Sequence, residues 1–353
     1  MVRQHKVLVY GAGVLGSLLA ARLHTGGHDV AILARGQRLA DIREHGIVLE
    51  DYHSGQRETV PVRAVEALEA SDVYDLVLVV MQAQQTADVL PVLAASKRTP
   101  NVLFLQNNPH GPADIERALG PGRALLGFPA AGGQRDGHVI RYTLAGKARP
   151  RVVFGEADGL ITGRAERIAE VLRSSGIDAE VRGDMDAWLR YHAALVGPLA
   201  LAIYAANGDN YRLARTRDAA LIGVRAVREG FRALEHLGFA PAPPALRMVH
   251  LLPEPLLAWF VQRAVDSELG EIGMAAHAMS ARDEMTHLVQ AVRTWGHQSG
   301  TPMPNLDRLL KYLPAEAEPM PDGSDTVPQD WRGAYMWGAG LLVAALIVRR
   351  LFR

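Results

Sequence analysis

The sequence predicts an α/β nucleotide-binding domain followed by an all-helical one, and three observations carry that prediction. A β-branched run, Lys6-Val7-Leu8-Val9-Tyr10, leads straight into Gly11-Ala12-Gly13-Val14-Leu15-Gly16 and a helical pattern from Ser17 to Leu23. Strand and helix signals then alternate to about residue 180, the pattern of a parallel sheet covered by helices. From Met185 the signals are almost purely helical. At roughly 100–200 residues per domain, a chain of 353 residues holds two or three such units.

The first strand and the glycine run come first in the chain and set its chemistry. Gly11 lets the chain turn, Gly13 lets backbone N–H groups approach a pyrophosphate, and Gly16 lets the helix lie close on the strand. A bare GxGxxG carries little weight, but one placed after the first strand and at a helix start is the mark of a dinucleotide site. Gly11, Ala12, Gly13, Val14, Leu15 and Gly16 are therefore the expected cofactor-binding turn. A glycine turn kept only for packing is the other reading.

The second strand, Asp29 to Leu33, ends where an acidic residue would bond the ribose hydroxyls of NAD, and Arg35 stands there instead. A guanidinium suits a 2′-phosphate, with Arg38 in reach to add charge, so NADP is expected as the cofactor. Two apolar runs follow. Asp75 to Val80 leads into Met81-Gln82, and Val102 to Leu105 leads into Gln106-Asn107-Asn108-Pro109. Both read as buried parallel strands, and ligands sit beyond the carboxyl ends of such strands, which puts Gln82 and Asn107 beside the cofactor. Simple turn formation remains open for both. Further strand signals occupy Ala124 to Phe128, Val139 to Tyr142 and Arg151 to Gly155, before the helix-like Ile161 to Ser174.

Composition excludes several classes. Thirty-eight basic residues balance thirty-eight acidic ones, so no long-range field draws the body to nucleic acid. The absence of cysteine removes disulfides, thiolate nucleophiles and cysteine-metal sites. No signal-peptide pattern precedes the first strand, so the body is expected in the cytoplasm.

At the other end, Gly333 to Val348 is free of charge, opened by Trp331 and Arg332 and closed by Arg349, Arg350 and Arg353. At 1.5 Å per residue a helix there would span about 24 Å, short of the ~30 Å hydrocarbon core but within reach of snorkelling arginines. A membrane-anchoring helix over 331–353 is expected, and a terminal helix packed on the body or on a second subunit is the alternative. Between body and anchor, 314–330 carries Pro314, Pro319, Pro321, Pro328 and five acidic residues, and reads as a flexible linker.

On these motifs the chain resembles the ketopantoate reductase family over about residues 5 to 313. The resemblance implies NADPH-dependent enzymes with a Rossmann domain followed by an all-helical domain of the 6-phosphogluconate-dehydrogenase-like C-terminal type. Gly11, Gly13, Gly16 and Arg35 match, as does Gln106-Asn107, with Asn108 where the family has glycine. Trp188-Leu189-Arg190-Tyr191, Gly197-Pro198-Leu199 and Asn207-Gly208 resemble the start of the family's helical domain. Gly300-Thr301-Pro302-Met303-Pro304-Asn305 resembles the loop after its acidic helix, which places the family's acidic substrate residue on Glu284.

Both family lysines are missing. Gln82 fills the first slot, Arg190 the second, or Leu189 if the register slips by one, and no lysine lies between Lys147 and Lys311. The resemblance implies that the second lysine donates a proton to the substrate. An arginine stays charged far above neutrality, so Arg190 suits a carboxylate or carbonyl but is a poor proton donor, and reduction of ketopantoate itself is not expected. His277, Ser280, Glu284 and His287 have helical spacing along one face. Glutamate and histidine there suit general acid–base work; a solvated face explains the stripe equally well, and no metal is expected.

The expected protein is an NADP(H)-dependent oxidoreductase acting on a small 2-oxo acid or related carbonyl. Arg190 would hold an anionic group, Glu284 would bind hydroxyls or relay a proton, and Asn107 would position the cofactor. The alternative is a non-catalytic, membrane-tethered NADP(H)-binding sensor or scaffold. The expected organisation is a Rossmann domain at 1–182 and a helical substrate and dimerisation domain at 183–313, with a homodimer left open.

Overall fold

The computed structural model describes residues 3–144, 149–268 and 270–331, and the chain divides into two compact units, Met1–Ala193 and Ala194–Arg353. The first unit contains, in order, β1 (Lys6–Tyr10), α1 (Val14–Thr25), β2 (Asp29–Leu33), α2 (Gly36–His45), β3 (Ile47–Asp51), β4 (Arg57–Val60), β5 (Arg63–Val65) and β6 (Leu76–Val79). It continues through α3 (Thr86–Ala95), β7 (Val102–Leu105), α4 (Ala113–Leu119), β8 (Ala124–Ala130), β9 (Gly132–Asp136), β10 (Val139–Thr143), β11 (Arg151–Glu156), α5 (Gly163–Ser174) and β12 (Asp178–Val181).

The main sheet has the order β12-β11-β8-β7-β6-β1-β2-β5. Every neighbouring pair is parallel except β11 with β8. Its central strands are apolar on both faces and buried throughout: Val7, Leu8 and Val9 of β1, Leu76 to Val79 of β6, and Val102 to Leu105 of β7. A strand of that kind is stable only with cover on both sides. The chain leaves β1 toward β2 on one flank and returns to β6 on the other, so the order reverses between β1 and β6, and such a reversal is where open α/β sheets hold ligands.

A second sheet, β4-β3-β10-β9, differs from the expected simple alternation. Val139 to Tyr142 pairs in parallel with Val48 to Asp51 of β3 rather than joining the main sheet.

Helix α6 (Met185–Ala205) begins in the first unit. The domain boundary expected after residue 182 therefore lies eleven residues later, because Met185 and Leu189 are buried in the core on one face of the main sheet. The second unit then holds α7 (Asn210–Arg215), α8 (Arg217–His236), α9 (Met248–Leu251), α10 (Glu254–Val265), a π-helical turn Gly270–Ala275, α11 (Ala276–Ser280), α12 (Arg282–Ser299) and α13 (Pro304–Leu309). Among its described residues there is no strand. Helix α8 is its centre, packed on α10, α12 and α13.

The flexible linker expected at 314–330 is instead a strap tied along the helical unit. Met320 N–H donates to Ala205 O at 2.8 Å, and Asp322 pairs with Arg215 at 2.7 Å. Asp218 accepts from the N–H groups of Thr326 (3.0 Å) and Val327 (2.9 Å) and from the Thr326 hydroxyl (2.9 Å). Asp330 N–H donates to Glu254 Oε1 at 2.9 Å. Met320 and Val327 are buried. A stretch of proline and acidic residues looks like solvated chain, yet Arg212, Arg215, Arg217 and Arg225 on α7 and α8 all bond to it.

Burial opposes charge on Asp218, but the strap's donors outweigh it and hold the carboxyl below the usual carboxylate range. A depressed carboxylate stabilises above its unfolded pKa and ceases to do so as pH falls through the folded one. Asp218→Asn is expected to cost about 2 kcal/mol at neutral pH, read from urea midpoints, with faster proteolysis inside the strap. The difference from wild type should shrink as acid protonates the native carboxylate.

Of the anchor expected at 331–353, residues 332–353 lie outside the described residues. Among the described residues no helix is long and apolar enough to cross a membrane.

Candidate active site

The glycine turn lies at the β1–β6 reversal. Gly11 has φ +119°, and a Cβ there would stand 2.2 Å from Val80 O, just beyond β6. At Gly16 a Cβ would fall 1.9 Å from Gly11 O and 3.4 Å from Val9 Cγ1, so only glycine lets α1 lie this close on β1. Gly13 is different: it is the residue before α1, and a Cβ there would meet nothing within 4 Å. The first turn of α1 carries no acidic residue, so the positive end of its dipole is unopposed. Open space before a helix N-terminus suits a pyrophosphate, and the turn fits a dinucleotide.

Arg35 immediately precedes α2 and is exposed, with its guanidinium 3.5 Å from the hydroxyl of Tyr10, the last residue of β1. It is thus close to the glycine turn, free to meet a phosphate. Arg38 does not supply the second cation the sequence suggested. It is buried, and its Nε, NH1 and NH2 groups donate to Ala12 O (3.1 Å), His138 O (3.0 Å) and Ser17 Oγ (3.0 Å). Burial, then the nearby Arg135, lower its pKa. Arg38 braces the glycine turn from α2, a role invisible in local sequence.

Gln82 follows β6 and accepts from Gln84 Nε2 at 2.8 Å. After β7, Gln106 is buried and accepts from the Thr86 hydroxyl at 3.0 Å, while Asn107 is buried beside it. Asn108 shapes the turn in place of the family's glycine: its Nδ2 donates to Gly111 O at 2.9 Å and its Oδ1 accepts from His110 N–H at 3.0 Å.

Arg190, expected to hold a substrate anion, has partners within the first unit. Its Nε donates to Asp186 Oδ1 at 2.9 Å and its NH1 to Pro109 O at 3.0 Å. It therefore fastens α6 to the turn that carries Asn107, with its charge shared by Asp186. The i,i+4 spacing of Asp186 and Arg190 was readable in the sequence. Two residues further along α6, the ring of His192 stacks on Trp188 (centroids 5.0 Å, 11°) and lies 4.3 Å from Phe128 of β8.

In the helical unit the expected stripe is not one helix. The chain breaks at Ala281 between α11 and α12, and Ser280 turns its hydroxyl back to His277 O. Glu284 is nevertheless buried, with Oε2 3.5 Å from Nε2 of the half-exposed His277. Burial lowers the pKa of His287, against the pull of Glu284. Among the described residues no group of three or more histidine, aspartate or glutamate side chains is disposed to hold a metal.

Residues 7–159 match the family "Ketopantoate reductase PanE/ApbA". The chain is 29% identical over 245 residues to a 2-dehydropantoate 2-reductase of Archaeoglobus fulgidus, covering 67% of this chain and 76% of that protein. A second such enzyme, of Mesorhizobium japonicum, is 29% identical over 244 residues, with 60% and 73% covered. Among solved structures, 2-dehydropantoate 2-reductase from Geobacter metallireducens aligns with TM-score 0.69 and 21% identity over 87% of this chain and 98% of that one. D-mandelate dehydrogenase with NADH and anilino(oxo)acetate aligns with TM-score 0.70 and 20% identity over 87% and 97%. At such identities the structures establish the shared two-domain fold alone. With its glycine turn and the reversal at β1, the first unit carries a domain over residues 7–159 that matches the ketopantoate reductase PanE/ApbA family.

Proposed function

We propose that the protein is an NADP(H)-dependent oxidoreductase that interconverts a small 2-oxo acid, or a related carbonyl compound, with its alcohol. The observation that carries this reading is the open N-terminus of α1 at Gly13 with exposed Arg35 beside it. Bound NADPH would supply the hydride. The glycine turn and α1 would hold the pyrophosphate, Arg35 the 2′-phosphate, and Gln82 and Asn107 the ribose and nicotinamide amide. Arg190 keeps the Asn107 turn in place. Glu284 would bind the substrate or hold the proton that its oxygen receives, and His277, half-exposed and 3.5 Å away, would exchange that proton with solvent. The mandelate dehydrogenase relative, with NADH and an oxoacetate derivative, supports the substrate class. The reading includes a cytoplasmic body attached to a membrane through residues 333–348.

NADPH is expected to bind at least about tenfold more tightly than NADH, about 1.4 kcal/mol. Arg35→Ala should remove most of that difference in titration calorimetry. Equal affinities in the wild type would refute the assignment of Arg35. Absorbance assays with a panel of 2-oxo acids, ketopantoate included, then identify the substrate; no NADPH oxidation with any of them counts against catalysis.

A further inference from the structure

A buried charge is costly unless an opposite charge meets it. Arg38 is 6% exposed, and its three bonds go to two backbone carbonyls and one hydroxyl, all of them neutral. Asp41, three residues along α2, accepts instead from Gln37 Nε2 at 2.8 Å. Burial and then Arg135 of β9 oppose the charge on Arg38, and the favourable influence of Asp41 is smaller than either.

The partners of Arg38 show where that charge acts. Its Nε donates to Ala12 O at 3.1 Å and its NH2 group to Ser17 Oγ at 3.0 Å, while the Ser17 hydroxyl itself donates to Ala12 O at 3.3 Å. The Ala12 carbonyl is thus tied twice. The peptide between Ala12 and Gly13 is trans, and in a planar trans peptide the N–H points opposite to the carbonyl oxygen. Holding Ala12 O therefore aims the Gly13 N–H away from Arg38. Gly13 is exposed, and its N–H meets no backbone acceptor among the described residues. A cation at the carbonyl end of a peptide also polarises it, which makes the N–H at the other end a stronger donor.

We infer that Arg38 is a positioning residue of the pyrophosphate site: it fixes and polarises the Ala12–Gly13 peptide so that the Gly13 N–H faces the ligand, and the pyrophosphate balances its buried charge without touching it. The inference rests on the cofactor-binding part of the proposed function and adds a division of labour between two arginines. Arg35 reads the 2′-phosphate, which NADPH alone carries. Arg38 serves the pyrophosphate, which NADPH and NADH share.

Calorimetric titration of the full chain with NADPH and with NADH separates the two roles. Arg38→Gln keeps a hydrogen-bond donor and removes the charge, so it should weaken both cofactors by the same factor, about tenfold or more, and leave their ratio as in the wild type. Arg38→Lys keeps the charge and should stay within about threefold of the wild type. A merely structural role would make affinity follow the urea midpoint in both variants, whereas a charge acting through the peptide is rescued by lysine. Ser17→Ala removes one of the two ties on Ala12 O, leaves the guanidinium in place, and should weaken both cofactors equally, by about threefold. Unchanged binding in Arg38→Gln overturns the inference, as does unchanged binding in Ser17→Ala where Arg38→Gln does not fold. A loss confined to NADPH also overturns it, by placing Arg38 on the 2′-phosphate, and so does an equal loss in Arg38→Gln and Arg38→Lys, which leaves the guanidinium a packing brace. Wild-type protein that binds neither cofactor overturns the proposed function along with it.

Discussion

Gly16→Ala is expected to abolish measurable NADPH binding and to lower stability by about 3 kcal/mol, near the upper end for overpacking. The added Cβ would lie 1.9 Å from Gly11 O and 3.1 Å from its carbonyl carbon, both backbone atoms of the turn itself. Relief requires α1 to move off β1, which displaces the N–H groups proposed to meet the pyrophosphate. Gly13→Ala is the informative companion, since its Cβ would meet nothing within 4 Å of protein. It should leave the urea midpoint unchanged and still weaken NADPH binding, because the only thing to collide with is the ligand. Unchanged affinity in Gly13→Ala would place the cofactor elsewhere.

Glu284→Gln is expected to lower turnover by about 100-fold or more with the 2-oxo acid that the panel identifies, at the scale of a lost general acid–base group. The substitution keeps the size of a buried side chain 3.5 Å from His277 and removes its capacity to exchange a proton. NADPH affinity should be unchanged, because the proposed cofactor residues belong to the other compact unit. Steady-state kinetics paired with calorimetry separates the two quantities, and full turnover in the variant would exclude Glu284 from the reaction.

The parts legible in the sequence were those that depend on neighbours in the chain. The strand, the glycine turn and the start of α1 occupy about twenty consecutive residues, and a steric requirement between near neighbours writes itself into residue type. Arg38 shows the opposite case. Its partners Ala12, Ser17 and His138 come from three different segments, so nothing near it distinguishes a buried brace from a phosphate ligand. The charge of Arg190 is visible in the sequence, whereas its bond to Pro109 O spans eighty-one residues. The stripe from His277 to His287 was read as one helix, since periodicity passes unnoticed over the break at Ala281. The strap was misread because proline and acidic side chains predict solvation unless arginines wait on another element, as they do on α7 and α8.

The strap also fixes how mechanical load would enter the molecule. Tension applied at Trp331 acts first on the bond between Asp330 and Glu254, next on Pro328 and Arg225, and then on the grip of Asp218 on Val327 and Thr326. These attachments stand in series along the chain, so force opens them one after another as a peel instead of loading them together as a shear. The helical unit would pay out the strap under a modest pull and take it back when the pull ends. The glycine turn, near the opposite end of the polypeptide, lies outside that path of force.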